Sequence, residues 1–299
     1  MKSQIIKIIF VLLMVMFSSV QATINVFACE PEWAALAEEL GGDSLTIYSA
    51  TTSMQDPHHI QARPSLIAKA RRADLLICSG AELETGWLPL LLRKAGNANI
   101  QPGQPGNFEA ADYVEKQGVP KNLDRSLGDV HAEGNPHIHT NPENTLLVAD
   151  ALRQRLSEID VDNAEHYLSR YTAFEKRWTQ LMLEWKKQTN ILQGENIVTH
   201  HNYWTYLNRW VGLIVLATLE PVPGVSPSSS HLAKIKKQLS QQKIKMILHV
   251  SYVNERPTQW LSEQTGIAVI TLPATVDYQG GETLSQWFNI VIQQLVSVQ

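Results

Sequence analysis

Strand-like and helix-like runs alternate along this chain in two series, with one uninterrupted helical stretch between them. That arrangement restricts the fold more than any other feature. Parallel strands need a crossover between them, so such alternation marks a parallel sheet covered by helices. The first series reads as strand 23–29, helix 31–40, strand 45–50, helix 64–72, strand 73–78 and helix 81–95. Pro31 suits the first turn of its helix, and Gly41-Gly42 suits the end. The second series reads as strand 195–199, helix 202–210, strand 213–218, helix 228–241, strand 244–250, helix 256–265, strand 267–272 and helix 283–297. Residues 96–110 and 127–142, rich in Gly, Asn and Pro, read as loops.

Between the two series, residues 161–189 contain no Pro or Gly, and Tyr167, Tyr171, Phe174, Trp178, Leu181 and Trp185 recur at spacings of four and three. That is one apolar stripe on a helix about 42 Å long at 1.5 Å per residue, and the stripe reads as core packing. The expected fold is α/β: two parallel-sheet lobes with flanking helices, joined by a long rigid linking helix. The lobes fall at 23–160 and 191–299, with the linking helix at 161–190.

Residues 1–22 read as a cleavable export signal: Lys2 and Lys7, an apolar run from Ile8 to Phe17, then Val20-Gln21-Ala22. The run is shorter than the roughly 20 apolar residues a membrane span requires, so no direct membrane insertion is expected. The sequence carries 25 basic and 29 acidic residues, net −4, which argues against nucleic acid as a partner and against a polybasic membrane patch. Export changes the reading of the two cysteines. In an oxidising compartment Cys29 and Cys78, each ending a strand-like run, are expected to form a disulfide, with two buried thiols as the alternative.

Ten histidines are present. Several cluster in loops at the carboxyl ends of the expected strands, the edge where open α/β sheets bind ligands. They occur in Asp56-Pro57-His58-His59, in His131 through Asn135-Pro136-His137-Ile138-His139, and in Thr199-His200-His201-Asn202. Pro273-Ala274-Thr275-Val276-Asp277-Tyr278 lies after the last strand. Imidazole suits borderline cations such as Zn²⁺, and one carboxylate would complete a tetrahedron. His166, His231 and His249 fall within helices or strands and read as structural.

These segments resemble the solute-binding proteins of zinc/manganese ABC importers, the cluster A-I family. The resemblance covers about 23–299. Asp56-Pro57-His58 with Arg63-Pro64-Ser65, Asn135-Pro136-His137 with Asn141-Pro142, and His201-Asn202-Tyr203-Trp204 with Gly212-Leu213 resemble the family's first three metal motifs. Asn135 departs from the more common Asp, and the long His-rich acidic loop of many zinc members is nearly absent. The resemblance implies His58, His137, His201 and Asp277 as metal ligands. Glu282, Glu30 or a water stand as rivals for the fourth position, and His59 and His200 as stand-ins for their neighbours. His131 and His139 are expected to help collect metal without being fixed ligands.

What the resemblance implies is capture of Zn²⁺, as transported ligand, in the periplasm and its delivery to the membrane permease of an ABC importer. A zinc metallochaperone is a further candidate partner, and the chain is expected to be a monomer without enzymatic activity. Three imidazoles favour Zn²⁺ over Mn²⁺, and a histidine at the third position is similar to the zinc members. The alternatives are a manganese or iron binder of the same family, a secreted zinc hydrolase, and a metal-dependent adhesin. The sequence has no His-Glu-x-x-His pair and no Gly-x-Ser-x-Gly elbow to support a hydrolase.

Overall fold

The computed structural model describes residues 23–120 and 131–298. The expected export signal lies outside the described residues. Two four-stranded parallel sheets form the frame. In the first, β1 (Ile24–Ala28), β2 (Leu45–Ser49), β3 (Leu75–Cys78) and β4 (Asn107–Glu109) lie in the order β2-β1-β3-β4. In the second, β5 (Asn196–Thr199), β6 (Ile214–Thr218), β7 (Met246–Val250) and β8 (Val269–Leu272) repeat that pattern as β6-β5-β7-β8. All neighbours are parallel.

The connections are helical. In the first lobe they are α1 (Pro31–Gly41), α2 (Pro64–Ala70), α3 (Leu88–Ala95) and α4 (Pro142–Ile159). The linking helix is α5 (Ala164–Thr189), with 3-10 turns at Val161–Asn163 and Asn190–Leu192. The second lobe adds α6 (Thr205–Val211), α7 (Ser229–Leu239), α8 (Arg256–Thr265) and α9 (Leu284–Val296). Pro stands in the first turn of α1, α2, α3, α4 and α8, where its missing N–H costs nothing. Thr283 and Gln286 close a capping box on α9.

Three local expectations are corrected. The helix expected over 81–95 begins only at Leu88, because residues 81–87 form turns in which Ala81 and Glu82 adopt positive φ. The segment 96–110 is not all loop, since Asn107–Glu109 pairs with β3 as an edge strand. A full helix, α4, fills 142–159, where no helix was expected; its buried stripe is Val148, Ala149, Leu152 and Leu156.

The linking helix packs along α4, α1 and α9. Its stripe is core, as the spacing predicts: Tyr167, Phe174, Trp178 and Trp185 are buried. Phe174 stacks on Trp178 at 5.1 Å, and Trp185 stacks on Phe288 of α9 at 5.1 Å. Trp178 donates its indole N–H to Pro142 O, and Trp185 donates to Asn289 Oδ1. One apolar cluster therefore runs from Val26 and Leu75 through Trp178 to Leu248 and Phe288. Separate clusters around Phe27 and Leu76, and around Val198 and Ile247, cover the other faces of the two sheets. The inner strands β1, β3, β5 and β7 are thus largely buried on both sides, which explains why they read as apolar runs, whereas the edge strands β2, β6 and β8 are partly exposed.

The disulfide is present. Cys29 and Cys78 follow and end neighbouring strands, with Cα atoms 4.8 Å apart and both side chains fully buried.

Candidate metal site

The carboxyl ends of the two sheets face one cleft. A cavity of about 10 Å³ there is lined by Glu30, Glu32 and Thr51 from the first lobe, by Tyr203 and Thr275 from the second, and by His137 and His139. Three imidazoles expected as ligands meet beside it, each held by its own local device.

His58 sits in a 3-10 turn, Pro57–His59, two residues after Asp56, which caps it. Asp56 Oδ1 accepts the His58 backbone N–H at 3.0 Å and lies 2.7 Å from His58 Nδ1. Trp87 donates its indole N–H to Pro57 O and pins the turn to the first lobe. The carboxylate holds Nδ1 as the protonated nitrogen, so Nε2 carries the lone pair. Burial pushes the Asp56 carboxyl up, but the hydrogen bonds and charge of His58 outweigh this and hold it below its usual value.

His137 is 1 % exposed, and neither ring nitrogen has a hydrogen-bond partner among the described residues. Its ring stacks on Tyr203 at 4.0 Å. Its backbone N–H donates to Asn135 Oδ1. The Asn135 amide in turn donates to Asn202 O and Thr205 Oγ1, and Tyr206 donates its hydroxyl to Asn135 O. Burial, then the neighbouring His201 and His58, push His137 well below the ordinary imidazole range. It therefore presents a neutral ring whose buried nitrogens have no partner among the described residues, the state a metal requires of it.

His201 follows β5, and its Nδ1 lies 2.6 Å from Glu220 Oε2. Glu220 follows β6 and also accepts the Gly224 N–H. Ring centroids of His137 and His201 stand 5.6 Å apart, as do those of His58 and His137.

Asp277 is not brought to these rings by any contact among the described residues. It is exposed, its Oδ1 accepts the Gly280 N–H of the following 3-10 turn, and its own backbone N–H donates to Glu282 Oε2. Glu282, the other late carboxylate, is thereby engaged with the same turn. Glu30 does line the cavity, but it lies against Glu84. Burial and then the Glu84 charge raise Glu30 well above the carboxylate range, while burial raises Glu84 to about 7. Glu84 lies near the two cysteine sulfurs as well, but those are spent in the disulfide.

His131 lies at the cleft instead. Its Nε2 is 3.1 Å from His58 Nε2, and burial, then His58 and His201, push it down to about 4. His139 is buried deeper. Its Nδ1 lies 3.1 Å from Glu32 Oε1, at charge-pair distance but out of line for a hydrogen bond, and its Nε2 faces Ala274 O. His200 packs on His249, which lies 3.1 Å from Val253 O. His166 lies 3.1 Å from Gly41 O in the packing of α5 on α1, and the backbone N–H of His231 is capped by Ser228. The sequence alone assigns neither Glu220 nor Glu32 a partner at the site; each meets its histidine only through the fold.

Two parallel-sheet lobes on a linking helix, with imidazoles gathered between them, define a metal-binding solute receptor. Comparison with known proteins agrees. The family profile for the zinc-uptake complex component A, periplasmic (ZnuA), matches residues 26–298, and the chain belongs to that family. Relatives include the manganese ABC transporter substrate-binding lipoprotein PsaA of Streptococcus pneumoniae, 25% identical over 245 residues, covering 79% of this chain and 74% of that one. A crystal structure of ZnuA superposes with a TM-score of 0.74 at 19% identity, covering 92% of this chain and 99% of the other. A Mn-bound periplasmic metal binding protein from Candidatus Liberibacter asiaticus gives 0.75 at 20% identity, with the same coverage. These two structures share the fold. The chain is a substrate-binding component of a metal ABC transporter, with a membrane permease as partner, and not an enzyme.

Proposed function

We propose that this protein captures Zn²⁺ in the periplasm, at His58, His137 and His201, and hands it to the permease of its importer. The observation that carries the reading is His137: buried, neutral, and with both ring nitrogens unpartnered between two other imidazoles. A buried polar group without a partner is costly, and a cation supplies the missing one. Imidazole is a borderline donor, which supports Zn²⁺ over the harder Mn²⁺. Residues 1–22 direct export and are removed near Ala22, and the mature chain works as a monomer. The long helix, tied to both lobes by tryptophan hydrogen bonds, supports release by small shifts of the loops rather than wide opening.

The test is metal titration of the mature protein, with Zn²⁺ and Mn²⁺ in competition. Zinc is expected to bind more tightly, and His58→Ala, His137→Ala and His201→Ala each to weaken it. Tighter Mn²⁺ binding would overturn the metal assignment. Unchanged zinc affinity in all three variants would overturn the site.

A further inference from the structure

We propose that His131 is the fourth ligand, so that the metal sits in an all-imidazole site with no carboxylate on the ion. This rests on the reading of the cleft as a zinc site and goes further by naming how that site is closed and what it selects. The argument begins with His58. Asp56 takes its Nδ1, so Nε2 points its lone pair outward, and the group it meets is another ring nitrogen, His131 Nε2, at 3.1 Å. In a tetrahedral zinc site with Zn–N of about 2.0–2.1 Å, adjacent ligand nitrogens stand about 3.3 Å apart. The observed separation is close to that edge.

The rings agree. A ring centroid lies about 1.1 Å beyond its ligating nitrogen, which places neighbouring centroids about 5.2 Å apart around one tetrahedral zinc. The centroid distances are 5.2 Å for His58–His131, 5.6 Å for His58–His137 and 5.6 Å for His137–His201. The backbone beside His131 is held as well. The Ala132 N–H donates to Glu82 Oε2 in the strained turn after β3. Gly134 doubles the chain back at φ +113, where a Cβ would meet Gln117 O at 2.8 Å. Asp277, by contrast, caps its own turn and faces solvent.

Four neutral imidazoles leave the cation's charge to be balanced from one shell further out, by Asp56 behind His58 and Glu220 behind His201. Such a donor set favours Zn²⁺ and offers a hard cation such as Mn²⁺ no anionic oxygen.

The experiment uses the full mature chain loaded with zinc. X-ray absorption should count four imidazoles on the metal, and three in His131→Ala. Zinc affinity should fall at least about 100-fold in that variant, the upper end of what losing an outer partner costs. Asp277→Asn should leave it unchanged. His131→Asp, which keeps a ligand on the same loop, should shift the Zn²⁺/Mn²⁺ preference toward manganese by at least about tenfold. If Asp277→Asn weakens zinc and His131→Ala does not, this inference is wrong while the zinc reading stands. If His137→Ala is also without effect, the zinc reading falls with it.

Discussion

His201 Nδ1 lies 2.6 Å from Glu220 Oε2, a contact between residues nineteen positions apart that the parallel pairing of β5 with β6 brings about. The carboxylate holds the Nδ1 proton and turns Nε2 toward the cleft. Glu220→Ala removes that hold while leaving the proposed ligand, His201, in place. Losing such a partner costs about 10–100-fold in affinity. Zinc titration should show a fall in that range with the thermal midpoint little changed. An affinity equal to that of the unaltered protein would mean that the pair is incidental.

The Cys29–Cys78 bridge closes a loop of sequence separation 49 between two buried strand ends. Loop-closure entropy for that length corresponds to about 4 kcal/mol of stabilisation. The double variant Cys29→Ser, Cys78→Ser should therefore unfold at markedly lower denaturant concentration, and reductant should move the wild type the same way. A midpoint insensitive to both would refute a stabilising role.

Glu84 and Glu30 are two acids buried side by side beneath the cleft. Burial raises Glu84 to about 7 in the folded protein, whereas an unfolded glutamate titrates near about 4.3. Between those values the folded state holds more protons than the unfolded one. By linkage this acid's contribution to stability is then greatest at low pH, and it declines as pH rises through about 7. Glu84→Gln removes that titration while keeping an oxygen for the Ser79 N–H. Its stability relative to wild type should rise between pH 5 and pH 8, read from urea midpoints. A constant difference across that range would rule out the raised acid.

The parts of this molecule that were legible in its sequence depend on neighbours close along the chain. Seven of the eight β-strands announce themselves as strand-like runs, the three-residue edge strand β4 being the exception, and α5 does so through aromatics three and four residues apart. Asp56 and His58 are two residues apart and share one turn, so their motif is local. Glu220 and Glu84 carry no such signal, because what makes each matter is a partner supplied by sheet pairing or by the turn after β3. The same holds for His131. It stands six residues before His137 and looks like a loop histidine until the fold sets it against His58. Asp277 shows the reverse: its position after the last strand suggests a ligand, yet a cap on the Gly280 N–H already engages it. α4 escaped notice because its apolar stripe is sparse and begins directly behind the His-bearing loop.

Asn135 stands where the related motif more often has Asp, and its surroundings explain the amide. One side must accept, because it meets the His137 N–H at 2.9 Å. The other must donate, because it meets Asn202 O at 2.8 Å and Thr205 Oγ1 at 3.2 Å. The Thr205 hydroxyl donates to Asn202 O, so it cannot turn to serve a carboxylate without abandoning that bond. Asn135→Asp would set two acceptors against each other in a part-buried site, at a cost of about 1–3 kcal/mol. It should lower the thermal midpoint, and it should weaken zinc binding because His137 hangs from this side chain. The isosteric change leaves volume untouched, and the negative charge it adds near the cleft would by itself favour a cation, so a loss of zinc affinity reports the broken hydrogen-bond pattern. A variant as stable as wild type, with equal zinc affinity, would show that the amide is not what fixes His137.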